Sequence, residues 1–174
     1  RANFVIIYAV PAIGLSNHTS FIHMEFTWLI DVYYADYPKL KAYMAQQVDF
    51  AREYGYVATV LGRRRYLKDI NSRNAIVRGA AERNAINAPI QGSAADIIKR
   101  VMIRIPAALR EAGFATKMLL QVHDELIFEG PEAEAKAATA LITSMMETAA
   151  DPVLKLAVPI VAEAGIADSW AEAH

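Results

Sequence analysis

No cysteine occurs among the 174 residues, which removes disulfide frameworks, thiolate zinc sites and cysteine nucleophiles together. A reducing, intracellular setting fits that composition. An excess of charge of one sign is lacking too: 18 Lys and Arg stand against 19 Asp and Glu, a formal net charge of -1. No global basic field therefore marks a nucleic-acid binder, and any such binding has to come from local clusters. Apolar runs stay well short of the roughly 20 residues that a membrane span requires. No basic-then-apolar leader opens the chain, and neither an internal repeat nor a low-complexity linker is visible.

What the chain does have is apolar content, 55% hydrophobic residues, enough for a real core in one compact domain or a large piece of one. It begins at Arg1 inside an apolar run, which reads as a fragment or a processed chain. Residues 2 to 10, "ANFVIIYAV", fit helix or buried strand. From about Ser20 to Tyr34 apolar residues recur at helical spacing. Pro38 then opens a second helix that Gly55 closes after Tyr54. "GYVATVLGRRRYL" is a short β-like run ending at Gly62 and a basic triplet. Residues 74 to 88 read as helix interrupted by Pro89, and Ile98, Val101, Met102, Ile105, Leu109 and Ala112 form an amphipathic stripe, with Asp96 and Arg100 as an i,i+4 pair on its wetter side. Pro106 predicts a kink or a late break there. An alanine-rich helix from about Glu132 to Thr148 precedes "LAVPIVAEAGIA", which reads as a C-terminal strand. The expected class is α+β, mostly helical with a small antiparallel sheet.

The stretch "KMLLQVHDELIFEG", residues 117 to 130, sets His123, Asp124 and Glu125 between two strand-favouring runs, with room only for a tight hairpin. Asp124 and Glu125 then sit at its tip. A good turn former beside a solvated glutamate explains this spacing. A stiff hairpin offering carboxylates to Mg²⁺ explains it as well, since a hard cation takes oxygen ligands. In "RNAINAPIQG", Arg83, Asn87 and Gln91 step by four and share a helix face. They form either a solvated polar stripe or a row of donors suited to the minor groove, whose acceptors recur whatever the base sequence. Arg63, Arg64 and Arg65 read as a solvated basic loop or as phosphate contacts that position without specifying.

"LLQVHDELIF" resembles the C motif of family A DNA polymerases, the bacterial DNA polymerase I group. "YGYVATVLGRRRYL", "RGAAERNAINAPIQGSAADIIK" and the closing "AGIADSW" resemble that family in the same order. The resemblance covers nearly the whole chain, strongly from about Tyr54 to Phe128. It implies that residues 1–112 are fingers-derived helices leading into palm helices and that 113–174 hold the palm hairpin, a helix and a terminal strand, in one compact fragment. Further, it implies that Asp124 is a catalytic metal ligand with Glu125 as its neighbouring carboxylate, and that His123 and Gln121 lie near the primer end. Arg83, Asn87 and Gln91 match positions touching primer-template DNA. Phe4 and Tyr8 match the nucleotide-binding helix, facing deoxynucleoside triphosphates. The implied ion is Mg²⁺, with Mn²⁺ as an alternative, and the implied setting is the bacterial cytoplasm, on DNA and away from any membrane.

The match has departures. Val5 and Ala9 stand where the family has glycines, so that face approaches its ligand less closely. The triphosphate-binding Arg and Lys would precede Arg1. The family's A motif, source of a second essential aspartate, is not recognised; Asp31, Asp36 and Asp49 lie in amphipathic patterns unlike it. An isolated chain is therefore expected to be inactive or nearly so, and to need the N-terminal polymerase portion as a partner. A non-catalytic DNA-binding remnant or engineered scaffold of the same fold is the rival reading, and a metal-dependent nuclease using Asp124 and Glu125 is a third.

Overall fold

Pro38 and Gly55 bracket α1, Pro38–Tyr54. The proline presets the φ of the first turn. At the other end Gly55 adopts φ 77° and donates its N–H to the Ala51 carbonyl at 2.8 Å, the left-handed stop that a side chain disfavours. The computed structural model describes residues 31–173. Residues 31–36 are helical, in line with the end of the helix expected before Pro38. The 2–10 segment, most of the 20–34 helix, and both Phe4 and Tyr8 lie outside the described residues.

Strands β1, Tyr56–Ala58, and β2, Arg64–Tyr66, form an antiparallel hairpin pairing Tyr56 with Tyr66, Val57 with Arg65 and Ala58 with Arg64. Residues 59–63 turn the chain, Gly62 taking φ 86°. The basic triplet is thus not a loop throughout, as one of its sequence readings has it, because the turn ends at Arg63 and sends Arg64 and Arg65 into the ladder. Residues alternate across a strand, so Arg65 shares a face with buried Val57, whereas Arg64 shares the opposite face with Tyr56 and Tyr66.

Helix α2 runs from Ala75 to Glu111. Asn74 starts it, its side-chain oxygen accepting from the N–H groups of Ile76 and Val77 at 2.9 and 3.4 Å, a standard N-cap. Pro89, expected to interrupt the helix, lies within it. An interior proline costs roughly 3 kcal/mol, and packing offsets that cost here: Pro89 is buried, as are Ala85 and Ala88 beside it. The Ser93 hydroxyl donates to the Pro89 carbonyl at 2.5 Å. Pro106, expected to kink or break the helix, lies within it too, and the helix ends at Glu111. Gly113 (φ 78°) and Phe114 donate back to the carbonyls of Arg110 and Leu109 at 3.0 and 2.9 Å, the Schellman pairing of a glycine-terminated helix.

The chain divides into two compact units between Ser93 and Ala94. In the first, Ala51, Val57, Leu67, Ile70, Ala81, Ala85 and Ala88 form one core. The second is built on the stripe read from the sequence, Val101, Ile105 and Leu109, packed with Ala138, Ile142 and Ala149. Strands β3, Lys117–Val122, and β4, Glu125–Glu129, pair antiparallel, with a bulge that inserts Leu119 between the Met118–Phe128 and Leu120–Ile127 pairs. Leu126 and Phe128 anchor this hairpin on the second core. Helix α3, Glu132–Glu147, follows.

The expected C-terminal strand is absent: residues 154–167 form no ladder. Val158 and Val161 are both 73% exposed, and Pro159 offers no N–H. Strand propensity expresses itself only against a neighbouring strand. A short helix α4, Trp170–Ala173, ends the described chain, and at its start the Ser169 hydroxyl donates to the Glu172 carboxylate at 2.9 Å. The class is α+β, mostly helical with two small two-stranded antiparallel sheets among the described residues.

Candidate functional site

In the first unit the β1–β2 hairpin is docked against α2, and the docking gathers polar groups that the sequence presents as separate motifs. Gly92 allows the approach: a Cβ there would lie 2.6 Å from the Thr59 Cγ2 and 3.3 Å from Nη2 of Arg63. Ser93 accepts from the Val60 N–H at 2.9 Å. Arg63 donates to the Gly92 carbonyl at 3.1 Å, and Arg65 donates to the Asn84 side-chain oxygen at 3.3 Å. A small cleft of about 80 Å³ results, lined by Arg63, Arg64 and Arg65 together with Gln91. Arg83 and Asn87 are half-buried on α2 and Gln91 is exposed, at steps of four along one helix. The basic triplet and the polar row therefore meet at Gln91. Asn84 was not singled out from the sequence, because nothing in its spacing distinguishes it from an ordinary surface residue.

Elsewhere, in the second unit, the β3–β4 hairpin turns through only His123 and Asp124. His123 adopts φ 52°. That left-handed conformation is uncommon without glycine, though His, Asn and Asp tolerate it more often than most residues. The Gln121 side-chain amide donates to the His123 carbonyl at 2.7 Å and fixes the loop. Asp124 is exposed at the tip, and Glu125 is half-buried opposite Val122. This brings Gln121, His123, Asp124 and Glu125 onto one stiff element, as expected from "QVHDEL".

The root of that hairpin is clasped by Glu134. Its Oε1 accepts from both the N–H and the hydroxyl of Thr116, each at 2.6 Å. The Thr116 hydroxyl bond, with backbone N–H groups of Ala115 and Thr116, holds the Glu134 pKa below its ordinary value of 4.5, against a smaller upward push from desolvation. Gly130 makes room, since a Cβ at that position would collide with the Thr116 hydroxyl. Among the described residues, no group of three or more His, Asp or Glu side chains is arranged to hold a metal ion. Asp124 and Glu125 supply hard oxygen donors at an accessible tip, which suits part of a Mg²⁺ ligand set. No helix among the described residues is long and apolar enough to cross a membrane.

Residues 1–172 match the family model for DNA polymerase family A. The chain is 46% identical over 171 residues to DNA polymerase I of Streptococcus pneumoniae, covering 98% of this chain and 19% of that protein. It is 47% identical over 174 residues to DNA polymerase I of Rhizobium leguminosarum, covering 99% of this chain and 17% of the relative. Among solved structures it resembles the POL domain of Pol1 from M. smegmatis, in complex with DNA primer-template and dNTP, with a TM-score of 0.91 and 42% identity over 98% of this chain and 30% of that one. The chain thus spans about a fifth of the length of the curated relatives it matches. With the "QVHDEL" hairpin, the basic β-hairpin and the polar row on α2 all carried on a backbone that follows that domain, the chain belongs to DNA polymerase family A.

Proposed function

We propose that this chain is the C-terminal fingers-and-palm portion of a template-directed DNA polymerase that adds deoxynucleotides to a primer 3′ end. The observation that carries the reading is the β3–β4 tip. A hairpin needed only for folding gains nothing from a histidine at φ 52°, whereas strained backbone tends to persist where function requires it. In this reading Asp124 is a metal ligand, Glu125 its neighbour, and His123 and Gln121 lie beside the primer end. Membership of the family implies a divalent metal, Mg²⁺ or alternatively Mn²⁺. When bound, such an ion neutralises charge developing on the transferring phosphate. Asp124 and Glu125 are too few to complete the coordination of two ions, so the reading assigns a further carboxylate from outside the described residues. Isolated, the chain is accordingly expected to be inactive.

DNA contacts divide by chemistry. Arg63, Arg64 and Arg65 take phosphates of the template strand, where a guanidinium positions without specifying. Arg83, Asn87 and Gln91 face minor-groove acceptors that are shared by all base pairs, which supports copying without preference for sequence. Phe4 and Tyr8 serve the incoming nucleotide, and the M. smegmatis domain, whose complex contains DNA and dNTP, supports both assignments. The test is primer extension by the polymerase containing this chain, with and without Asp124→Ala. Loss of one metal ligand at a site worth several kcal/mol is expected to slow extension by roughly a thousandfold while primer-template affinity changes little. Extension within about tenfold of the parent would remove Asp124 from the metal site.

A further inference from the structure

Four aromatic rings in the first unit, none of them given a role above, form a continuous run from α1 into the β1–β2 hairpin. Tyr54 and Phe50 on α1 lie 4.5 Å apart between ring centroids, Phe50 and Tyr56 on β1 5.5 Å, and Tyr56 and Tyr66 across the hairpin 5.8 Å. Rings that serve only the core are covered at both faces. Here the two ends of the run are the most open, Tyr66 at 66% and Tyr54 at 54% exposure, and even Phe50 in the middle is 38% exposed. The Arg64 guanidinium carbon sits 4.6 Å from the Tyr56 ring centroid, within cation–π range. Between Tyr56 and Tyr66 the hairpin carries three arginines and no carboxylate. Two acids border the run on α1, Asp49 before Phe50 and Glu53 before Tyr54, and Glu53 raises the pKa of the Tyr54 hydroxyl.

Open aromatic faces interleaved with guanidinium groups are the recognition chemistry of single-stranded nucleic acid: bases stack on rings whatever their identity, while cations follow the backbone. Duplex DNA hides its base faces and cannot use such a surface. We propose that the Tyr54, Phe50, Tyr56 and Tyr66 run, with Arg64 laid over Tyr56, is a stacking track for bases of the unpaired template strand. The inference rests on the polymerase reading above, which supplies a strand that is single-stranded ahead of synthesis. Tyr54 and Tyr66 hold the bases, and the arginines of the hairpin hold the intervening phosphates.

The experiment measures affinity of the polymerase for a blunt primer-template, for the same duplex with a 5′ template overhang, for one whose overhang is abasic, and for the single strand alone. The base-bearing overhang is expected to tighten binding by roughly tenfold or more, the abasic one by much less. In the Tyr54→Ser, Tyr66→Ser double variant that gain disappears while affinity for the blunt duplex stays unchanged. The Tyr54→Phe, Tyr66→Phe variant retains it, which separates stacking from a folding defect. A gain equal for abasic and base-bearing overhangs, or one that survives the double Ser variant, overturns the proposal. So does self-association of the parent that the Ser variant abolishes with overhang affinity intact, since the rings would then serve a second copy. Binding of the single strand through these tyrosines, without binding or extension of any duplex, would keep the track and refute the polymerase reading. Binding of none of the four probes would refute both.

Discussion

Two glycines in α2 receive opposite signs from the same substitution. Replacing an interior helical glycine by alanine contributes about 1 kcal/mol of helix propensity at either place. At Gly79 the new methyl meets only Nη1 of Arg83, at 3.7 Å, an ordinary contact. At Gly92 it meets the Thr59 Cγ2 at 2.6 Å and Nη2 of Arg63 at 3.3 Å, where carbon atoms normally rest roughly 3.5–4 Å apart. Overpacking of that kind costs about 1–3 kcal/mol, which cancels or exceeds the propensity gain. Urea denaturation should therefore find Gly79→Ala stabilised by about 0.5–1 kcal/mol and Gly92→Ala neutral or destabilised by up to about 2 kcal/mol. The added change Thr59→Ser deletes Cγ2 but keeps the hydroxyl that accepts from the Arg63 N–H at 3.1 Å, and it should restore most of the loss. If Gly92→Ala proves as stable as Gly79→Ala with Thr59 intact, the hairpin does not press on α2 at this point.

Two other perturbations have definite signs. Because the folded-state pKa of Glu134 lies below 4.5, its clasp on Thr116 contributes stability that is fully present above the unfolded-state value and is lost as pH falls through the folded one. Melting temperatures of the parent and Glu134→Gln should differ near neutral pH and converge below pH 4.5; a gap independent of pH would exclude the carboxylate as its source. At the β3–β4 tip, His123→Gly removes the cost of φ 52°, and stability should rise by roughly 0.5–1 kcal/mol while primer extension falls. Destabilisation by that change would mean that the histidine is not strained.

Where local chemistry decides the outcome, the sequence was enough. Pro38 and Gly55 delimit α1, the Val101, Ile105 and Leu109 stripe is the second core, and the short link between apolar runs forces the hairpin that holds Asp124. Where a distant segment decides, sequence reading misled. Pro89 stays helical because buried neighbours and the Ser93 hydroxyl hold its turn closed, and "LAVPIVAEAGIA" stays irregular, with no strand among the described residues beside it. The meeting of Gln91 with the three arginines depends on a glycine at position 92, whose importance appears only once Thr59 lies against it.

The bulge at Leu119 gives the β3–β4 hairpin the mechanics of a lever. Leu119 is 54% exposed, and bulges sharpen the local twist of a strand. At ~3.3 Å per residue the tip lies about 15 Å away, so a change of roughly 10° at this fulcrum would carry the Asp124 carboxylate some 2.5 Å, several times the tolerance of about 0.5 Å that a working site allows. The aim of the hairpin is therefore sensitive to the strand's twist at Leu119, several residues from the Asp124 carboxylate it carries.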